Sequence, residues 1–279
     1  MTVNQLYREI IQRLDKSEAL AILEFICNIT RSDIILNGDR ELPTEVCDKI
    51  FEICDKRAVN IPLQYLIGKW SFWGADFTVG EGVLIPRDDT EVIVSACIDY
   101  LSALNPKKAD SIKIIDLCSG SGIIAVTLAN MFKMADVTAL EKSDKAFEYL
   151  TLNIKLNNSK VSAFKGDIFY DYDRFEDNYL DLIVSNPPYI KSGDIKTLQK
   201  EVQFEPLMAL DGGEDGYDFY KGIISNWSTK LKSGGMIAFE LGEGQSEFVS
   251  TLMLQNGFEN IKTFKDLSNI DRAIVAIKK

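Results

Sequence analysis

Asp116-Leu117-Cys118-Ser119-Gly120-Ser121-Gly122 is the stretch that decides the fold of this chain. It ends the apolar run Ile112 to Leu117, which predicts a strand, and precedes Ile123 to Met131, which predicts a helix. Glycines at such a turn let the backbone bend tightly and leave room for a ligand beside the main chain and the helix N-terminus. The stretch therefore predicts a βα unit with a ligand-binding turn.

The alternation of strand and helix continues towards the C-terminus. Helical patterns such as Lys145 to Leu156 separate further apolar runs, which are Val137 to Leu140, Val161 to Phe164, Leu180 to Val184 and Met236 to Leu241. Two last runs, Ile261 to Phe264 and Ala273 to Ile277, have only a short connection between them, which suits an antiparallel pair. We therefore predict an α/β fold: a mostly parallel sheet with helices on both faces and an antiparallel last strand.

The N-terminal part of the chain has a different pattern. Up to about residue 66, apolar residues recur at helical spacing, as in the stripe Leu6, Tyr7, Ile10, Ile11 and Leu14. The stretch from Trp70 to Gly82 is aromatic, contains glycine and alternates like a hairpin. We therefore predict a small helical domain at residues 1–69, a β-hairpin linker at residues 70–87 and an α/β domain at residues 88–279.

The composition excludes several classes of function. With 31 Lys and Arg against 42 Asp and Glu, the net charge of −11 disfavours a phosphate backbone as the main ligand. The chain contains no histidine, so it cannot use a Ser-His or Cys-His nucleophile or a histidine metal site. Its five cysteines include no CxxC pair, which argues against a disulfide framework or a zinc ribbon and favours reduced thiols.

The sequence gives no sign of a membrane or secreted protein. No stretch of about 18 uninterrupted apolar residues occurs. The N-terminal segment MTVNQLYREI lacks the apolar core of a signal peptide and carries an acidic residue. We therefore expect a soluble, cytoplasmic protein.

Two features give the glycine turn the character of a nucleotide site. Gly120 and Gly122, followed by Ala125, fit the dinucleotide-binding pattern. Glu141 ends the second strand at the distance along the chain where a ribose-binding carboxylate belongs. On these residues alone, a nicotinamide-dependent dehydrogenase remains an open alternative.

Ser185-Asn186-Pro187-Pro188-Tyr189 follows the fourth strand, at the carboxyl edge where open α/β sheets bind substrates. The prolines fix their own φ angles and hold the preceding residues extended, so that Asn186 and nearby carbonyls are rigidly aimed. Acceptors that bind both N–H groups of an amide or exocyclic amine can orient its nitrogen towards an electrophile. Tyr189 supplies a flat surface for a planar group. The motif therefore favours chemistry at an amide or amine nitrogen.

These two motifs, together with other segments, make the chain similar to a known family. It resembles the class I S-adenosylmethionine-dependent methyltransferases with an Asn-Pro-Pro-Tyr motif, and among them the HemK/PrmC-type glutamine methyltransferases of peptide chain release factors. The narrower resemblance rests on further segments, namely Pro62 to Gly68, Leu84-Ile85-Pro86-Arg87, Thr90-Glu91, Glu205-Pro206, Ala209-Leu210 and Asp211 to Gly216. It spans nearly the whole chain and implies a Rossmann-like methyltransferase sheet of seven strands.

The resemblance implies S-adenosylmethionine as the cofactor, S-adenosylhomocysteine as its product, and no metal. The residues implied at the methionine end of the cofactor are Cys118, Ser119, Gly120, Ser121 and Gly122. Glu141 would accept both ribose hydroxyls. Asp167 and Ile168 would flank the adenine, and Asn186 would also contact the cofactor. The family commonly has aspartate at the position of Glu141, but either acid can hydrogen-bond a diol.

The catalytic residues that the resemblance implies are Asn186, Pro187 and Tyr189. Asn186 and the Pro187 carbonyl would hold the substrate glutamine amide, with Tyr189 packed against it and Pro188 completing the substrate site. Asp88 stands where the family usually has proline after Pro-Arg. Arg87 and Thr90 can therefore contact the cofactor or be structural.

The implied reaction moves a methyl group from S-adenosylmethionine to the side-chain amide nitrogen N5 of the glutamine in the Gly-Gly-Gln motif of release factors. The helices of residues 1–69 would recognise the release factor; a packing cap is their alternative role. Alternative acceptors are adenine N6 or another amine or amide on nucleic acid or protein, and a cofactor-binding regulator without turnover also remains open. We expect a monomer that makes no direct contact with nucleic acid or membrane.

Overall fold

The first part of the chain forms short helices that pack around an apolar core of their own. The computed structural model describes residues 1–104 and 112–279. The helices here are α1 (Val3–Ile10), α2 (Lys16–Cys27), α3 (Arg31–Leu36), α4 (Thr44–Ala58) and α5 (Leu63–Ile67). Thr2, Asp15 and Thr30 each cap a helix start, accepting hydrogen bonds from backbone N–H groups of the first turn. Leu6 and Ile10 are fully buried in the core between the helices.

A short hairpin follows the helices. Its strands are β1 (Lys69–Phe72) and β2 (Ala75–Thr78), which pair antiparallel with Lys69 opposite Thr78. Phe72 and Phe77 meet edge to face, with 6.3 Å between ring centroids, and join the apolar core beside the main sheet. From residue 79 to residue 89 the chain consists of turns and irregular backbone.

Within the described residues, seven strands form one sheet. They are β3 (Lys113–Leu117), β4 (Asp136–Glu141), β5 (Val161–Lys165), β6 (Leu180–Ser185), β7 (Leu231–Glu240), β8 (Phe258–Lys265) and β9 (Asp271–Lys278). The spatial order is β5-β4-β3-β6-β7-β9-β8, and β9 runs antiparallel to both of its neighbours. The predicted α/β class, with its mostly parallel sheet and antiparallel last strand, is confirmed.

Helices cover both faces of this sheet, namely α6 (Thr90–Ala103), α7 (Ile123–Met131), α8 (Asp144–Leu156), α10 (Asp218–Trp227) and α11 (Ser246–Gln255). A short helix, α9 (Leu207–Leu210), precedes α10. Successive strand residues point to opposite faces, so that Ile114 packs with Leu150 in one apolar cluster and Ile115 packs with Trp227 in the other. In the described ranges, no helix combines the length and apolar character needed to cross a membrane.

The strand order creates a switch point between β3 and β6. The chain builds outwards from β3 through β4 to β5, then returns to the other side of β3 with β6. Ligands of open α/β sheets bind beside such a point, at the carboxyl ends of the strands. Leu117 pairs with Ser185 at this edge. The glycine turn and the Asn-Pro-Pro-Tyr loop therefore begin side by side.

Candidate active site

A cleft opens at the carboxyl ends of β3, β4 and β6, with about 1000 Å³ of empty space when its open mouth is counted. Most of the predicted site residues line it, namely Cys118, Ser119, Gly120, Ser121, Glu141, Asp167, Ile168, Asn186 and Pro188. Gly122, Pro187 and Tyr189 lie outside the lining that the described part of the chain provides. The structure thus brings the two sequence motifs together around one space.

The turn after β3 adopts left-handed backbone conformations. The φ angle is +59° at Cys118, +57° at Gly120 and +84° at Gly122. A residue with a side chain, such as Cys118, rarely adopts this conformation, and such strain is concentrated at functional sites. A Cβ built at Gly120 would meet no described atom within 4 Å. The cleft beside this glycine therefore has free space for a ligand.

The buried side chain of Asp116 stabilises the glycine turn by hydrogen bonds. Its Oδ2 accepts hydrogen bonds from the Ser119 hydroxyl at 2.6 Å and from the Ala125 N–H at 3.2 Å. Burial raises the pKa of Asp116 to about 7, against these two hydrogen bonds, which lower it. Its Oδ1 has no hydrogen-bond partner among residues 1–104 and 112–279. Asp116 therefore ties the end of β3 to the first turn of α7.

Glu141, the last residue of β4, lies across the glycine turn. Its Oε2 accepts the Gly120 N–H at 2.8 Å, and its Oε1 accepts the Ser143 N–H at 2.6 Å. Burial raises the pKa of Glu141, while these backbone hydrogen bonds lower it. Each carboxylate oxygen can accept more than one hydrogen bond, so both remain able to bind a ribose hydroxyl. The geometry fits the role that the resemblance implies.

The loop after β5 supplies an apolar wall of the cleft. Ile168 is buried, and the rings of Phe169 and Phe219 lie 5.3 Å apart between centroids. Asp167 accepts the Phe169 N–H at 3.0 Å and pairs with Lys142 at 2.9 Å. An apolar wall with aromatic rings beside a carboxylate suits a planar base with an amino group.

Asn186 projects from the end of β6 into the cleft. Its Nδ2 donates a hydrogen bond to the Thr90 hydroxyl oxygen at 3.4 Å. The neighbouring Ser185 hydroxyl donates to the Leu117 carbonyl at 2.6 Å, which ties the loop to β3. Because Nδ2 faces Thr90, the Asn186 Oδ1 is left to accept hydrogen bonds from a ligand.

The Asn-Pro-Pro-Tyr loop is supported from behind by distant parts of the chain. Gln245 donates to the Tyr189 carbonyl at 3.0 Å. Ile190 donates to the Leu210 carbonyl at 2.9 Å, and Gly212 donates back to the Ile190 carbonyl at 2.8 Å. A Cβ at Gly212 would lie 2.7 Å from the Tyr189 Cα. Only glycine allows this close approach of the two backbones.

Tyr189 is the last residue of the Asn-Pro-Pro-Tyr loop. Its ring packs against the apolar cluster that contains Tyr220 and Leu241. Its hydroxyl is 3.5 Å from the Glu240 Oε1, and burial raises the pKa of Tyr189. The packing of this ring against a substrate amide stays a prediction.

Comparison with known proteins identifies the family. Residues 5–68 match the PrmC N-terminal domain family, and residues 97–204 match the Methyltransferase small domain family. A Thermodesulfovibrio yellowstonii protein named release factor glutamine methyltransferase is 37% identical over 259 residues, covering 91% of each chain. A protein of the same name from Moorella thermoacetica is 32% identical and covers 100% of this chain and 99% of its own. The chain belongs to the release factor glutamine methyltransferase family.

Solved structures share the fold of this methyltransferase. A methyltransferase from Pyrococcus furiosus has a TM-score of 0.53 at 20% identity, covering 75% of this chain and 91% of its own. The 16S rRNA N2 G1207 methyltransferase of Thermus thermophilus, solved with AdoMet and guanosine, has a TM-score of 0.51 at 18% identity, covering 76% and 50%. At these identities the likeness shows the fold alone, and it confirms the predicted Rossmann-like methyltransferase sheet.

The cleft of this methyltransferase fits S-adenosylmethionine, the cofactor that its methyltransferase family supports. Free space at Gly120 adjoins the Glu141 carboxylate, and the apolar wall with Ile168 lines the same cleft. Over the two described ranges, no group of three or more Cys, Asp or Glu side chains is arranged to hold a metal ion.

Sequence reasoning missed the side of the cleft that Glu205 stabilises. The buried Glu205 carboxylate accepts the Ile85 N–H at 3.0 Å and forms an ion pair with Arg87. Burial raises the pKa of Glu205, and the Arg87 charge lowers it. This contact holds the loop before α6 against the start of α9, where Pro206 and Met208 line the cleft. Glu205-Pro206 is one of the segments that carry the resemblance, but the sequence does not show that Glu205 contacts Ile85 and Arg87, which lie far away along the chain.

Arg87 and Thr90, whose roles the sequence left open, both line the cleft and both have protein partners. Arg87 pairs with Glu205, and the Thr90 hydroxyl accepts from Asn186. The loop keeps a tight turn at Asp88, whose carbonyl accepts the Glu91 N–H at 2.9 Å. The substitution of the family's proline by Asp88 is therefore compatible with an ordered entry into α6.

Proposed function

We propose that this methyltransferase transfers the methyl group of S-adenosylmethionine to the side-chain amide nitrogen N5 of the glutamine in the Gly-Gly-Gln motif of peptide chain release factors. The curated relatives named for this activity, which match 91% and 100% of the chain, support the proposal. The observation that carries it is that Gly120, Glu141 and Asn186 line one cleft at the switch point of the sheet.

The cofactor would lie along the glycine turn and the loop after β5. The residues that would hold its methionine end are Cys118, Ser119, Gly120, Ser121 and Gly122. Glu141 would accept the ribose hydroxyls, and the adenine would lie beside Asp167 and Ile168. When bound, this cofactor supplies a methyl group on a sulfonium, an electrophile whose leaving group is a neutral thioether.

Asn186 and Pro187 would hold the acceptor. The Asn186 Oδ1 and the Pro187 carbonyl accept the two amide N–H groups and orient the nitrogen, whose lone pair is delocalised and poorly nucleophilic. Positive charge develops on this nitrogen as its bond to the methyl group forms, and these two acceptors stabilise that charge. The proton can then leave to water, so this scheme needs no general base, in keeping with a chain that has no histidine.

In this proposal, three parts of the chain have different functions. We assign recognition of the release factor body to residues 1–69, linkage to residues 70–87 and methyl transfer to residues 88–279. The helices of the first part have a separate apolar core. Arg57, near the end of α4, pairs with Glu18 at 2.6 Å and with Glu201 at 2.5 Å. The helical part thereby contacts the segment that leads to the cleft at Glu205.

The test is incubation with methyl-labelled S-adenosylmethionine and purified release factor, followed by peptide mass mapping. We expect label on the Gly-Gly-Gln glutamine and none on a release factor in which that glutamine is replaced. Asn186→Ala serves as the matched enzyme control and should transfer label about a hundredfold to a thousandfold more slowly.

Other outcomes point to the alternatives. Label on another peptide, or on nucleic acid offered in parallel, would assign the enzyme to a different acceptor. An absence of label, while S-adenosylmethionine still raises the thermal midpoint, would indicate a cofactor-binding protein without turnover.

A further inference from the structure

Two walls of the cleft lie outside the central sheet. One is the irregular segment of residues 82–87, here called the strap, and all six of its residues line the cleft. The other wall contains Pro206, Met208 and Ala209, at the start of α9. Strand pairing positions the glycine turn and the Asn-Pro-Pro-Tyr loop, but it does not position these two walls. The contacts that hold them come from other parts of the chain.

Tyr65 holds the strap from the helical part of the chain. It lies in α5, and its hydroxyl donates a hydrogen bond to the Val83 carbonyl at 2.5 Å. Burial raises the pKa of Tyr65, and the nearby Glu205 carboxylate raises it further, so the hydroxyl keeps its proton and remains a donor. The Val79 N–H donates to the Gly68 carbonyl at 3.1 Å, which ties the chain before the strap to the end of α5.

Arg57 holds the second wall from the same helical part. Its guanidinium contacts Glu201 at 2.5 Å, and it also contacts Glu18 of α2 at 2.6 Å. Glu201 and Glu205 are the two ends of a single turn, in which the Glu205 N–H donates to the Val202 carbonyl at 3.0 Å. Arg57 therefore holds the turn that directly precedes the second wall.

Glu205 joins the two walls to each other. Its buried carboxylate accepts the Ile85 N–H at 3.0 Å and pairs with Arg87, and both of these residues belong to the strap. Together with the Tyr65 hydroxyl, these contacts form a closed ring that runs from α5 through the strap and the Glu205 turn to α4. Recognition of a release factor, the role assigned above to residues 1–69, does not account for this ring.

We propose that residues 1–69 also take part in cofactor binding, with Tyr65 and Arg57 as positioning residues that hold the two walls of the cleft. Among the residues that the structure describes, neither one lines the cleft, so each acts through the wall that it contacts. The inference rests on the cofactor site of the proposed function and does not depend on the acceptor. Loss of either contact should weaken S-adenosylmethionine binding, because binding must then order a loosened wall.

The first experiment measures the Kd for S-adenosylmethionine by calorimetry in the full chain with Tyr65→Phe. This variant loses only the hydroxyl, so the Kd should increase about fivefold, the effect of one hydrogen bond. Tyr100→Phe is the matched control, because the Tyr100 hydroxyl donates to the Gly234 carbonyl at 2.8 Å. Gly234 lies in the first half of β7, away from the carboxyl ends of the strands. The control loses a similar hydrogen bond and should keep the Kd of the wild-type protein.

The second experiment uses Glu201→Gln, which removes the charge that Arg57 contacts. The Kd should increase about threefold at about 0.1 M salt, and the increase should shrink at about 1 M salt, because salt screens a partly exposed ion pair. The effect of Tyr65→Phe comes from a neutral hydrogen bond and should not shrink. Asp136→Asn is the matched control, because it breaks the ion pair with Lys113 where β3 and β4 begin, at the opposite edge of the sheet.

Methylation of purified release factor separates cofactor positioning from the transfer step. In Tyr65→Phe and Glu201→Gln, the KM for S-adenosylmethionine should rise with the Kd, whereas kcat at saturating cofactor should fall less than about twofold, because Asn186 is unchanged. The double variant should increase the Kd by less than the product of the two single effects, because both contacts belong to one ring.

The outcomes separate this inference from the proposed function. Wild-type protein that binds S-adenosylmethionine without labelling the glutamine contradicts the proposed acceptor, and the Kd values still decide this inference. A Kd that stays at the wild-type value in Tyr65→Phe, or that increases equally in Tyr100→Phe, overturns it. A fall in kcat at saturating cofactor as large as the increase in Kd also overturns it. If Tyr65→Phe fails to fold, the Kd of Glu201→Gln and its salt dependence decide alone.

Discussion

The two loops that meet at the cleft start from neighbouring strands and are built in opposite ways. The turn after β3 uses left-handed backbone at Cys118, Gly120 and Gly122. The loop after β6 places two prolines directly after Asn186, and prolines remove backbone freedom. The first loop leaves free space beside Gly120, whereas the second holds the Asn186 side chain at the cleft. In the proposed reaction, the cofactor would depend on that space and the acceptor on the orientation of Asn186.

The largest expected effect on kcat comes from removing the Asn186 side chain, which orients the acceptor in the proposed reaction. Asn186→Ala should lower kcat by about a hundredfold to a thousandfold, because it removes an acceptor aimed at charge that develops in the transition state. S-adenosylmethionine should still raise the thermal midpoint of the variant, since Glu141 and the glycine turn are unchanged. Turnover close to the wild-type value would contradict the role assigned to Asn186.

A second variant acts on the backbone behind the same loop. Gly212→Ala would place a Cβ 2.7 Å from the Tyr189 Cα and 2.9 Å from the Pro188 carbonyl oxygen. The loop must then shift, and a small misplacement of reacting groups should lower kcat about tenfold to a hundredfold. Gly193→Ala is the matched control, because a Cβ there meets no described atom within 4 Å. Equal kcat in the two variants would show that the loop tolerates displacement.

A third variant examines the cofactor side. Glu141→Gln keeps the size of the side chain and removes its charge, so the Kd for S-adenosylmethionine should increase about tenfold. The kcat at saturating cofactor should change little, because Asn186 still holds the acceptor. Calorimetry gives the Kd, and methylation of release factor gives the kcat. A fall in kcat without a change in Kd would contradict the assignment of Glu141 to cofactor binding.

The smallest expected effect is on stability, and it compares the carboxylates under the two loops. Burial raises the pKa of Asp116 and of Glu240 to about 7. The folded protein therefore keeps protons that the unfolded chain loses near pH 4, and the stability they contribute is lost as pH rises towards 7. The thermal midpoint should fall by several degrees between pH 5 and pH 8.

Two isosteric variants assign this loss. Asp116→Asn and Glu240→Gln should each flatten part of the pH dependence of the thermal midpoint, and the larger change identifies the loop with the more costly carboxylate. A midpoint that rises from pH 5 to pH 8 in the wild-type protein would contradict the raised pKa values of both groups.

Local signals in the sequence predicted one part of the site. The apolar run before Asp116, the glycines after it and the acid at the end of the next strand each depend on neighbours in the chain, and the structure places Gly120 and Glu141 together accordingly. The Asn-Pro-Pro-Tyr motif likewise identified the strand end that supplies Asn186. The alternation of apolar runs with helical patterns predicted the sheet, and the short connection between the last two runs predicted their antiparallel pairing.

The remainder of the site depends on contacts between distant segments. Ile85 and Glu205 are 120 residues apart, and Thr90 and Asn186 are 96 residues apart. Glu240 ends an apolar strand without any polar pattern around it, and the close approach at Gly212 requires the loop that it touches. No periodicity encodes such pairs. These residues could be found only once the sheet had brought their segments together.

The pairing of Leu117 with Ser185 fixes the distance between the starting points of the two loops at the cleft. Adjacent strands lie about 4.8 Å apart because backbone hydrogen bonds hold them there, and the Ser185 hydroxyl adds a further bond to the Leu117 carbonyl. The glycine turn and the Asn-Pro-Pro-Tyr loop therefore begin one strand spacing apart, whatever side chains they carry. In the proposed reaction, substitutions can change which acceptor enters, but they cannot easily change how far it starts from the methyl donor. Divergence in substrate choice should therefore be sought in the helices of residues 1–69 and in the segment before α9, away from this pair of strands.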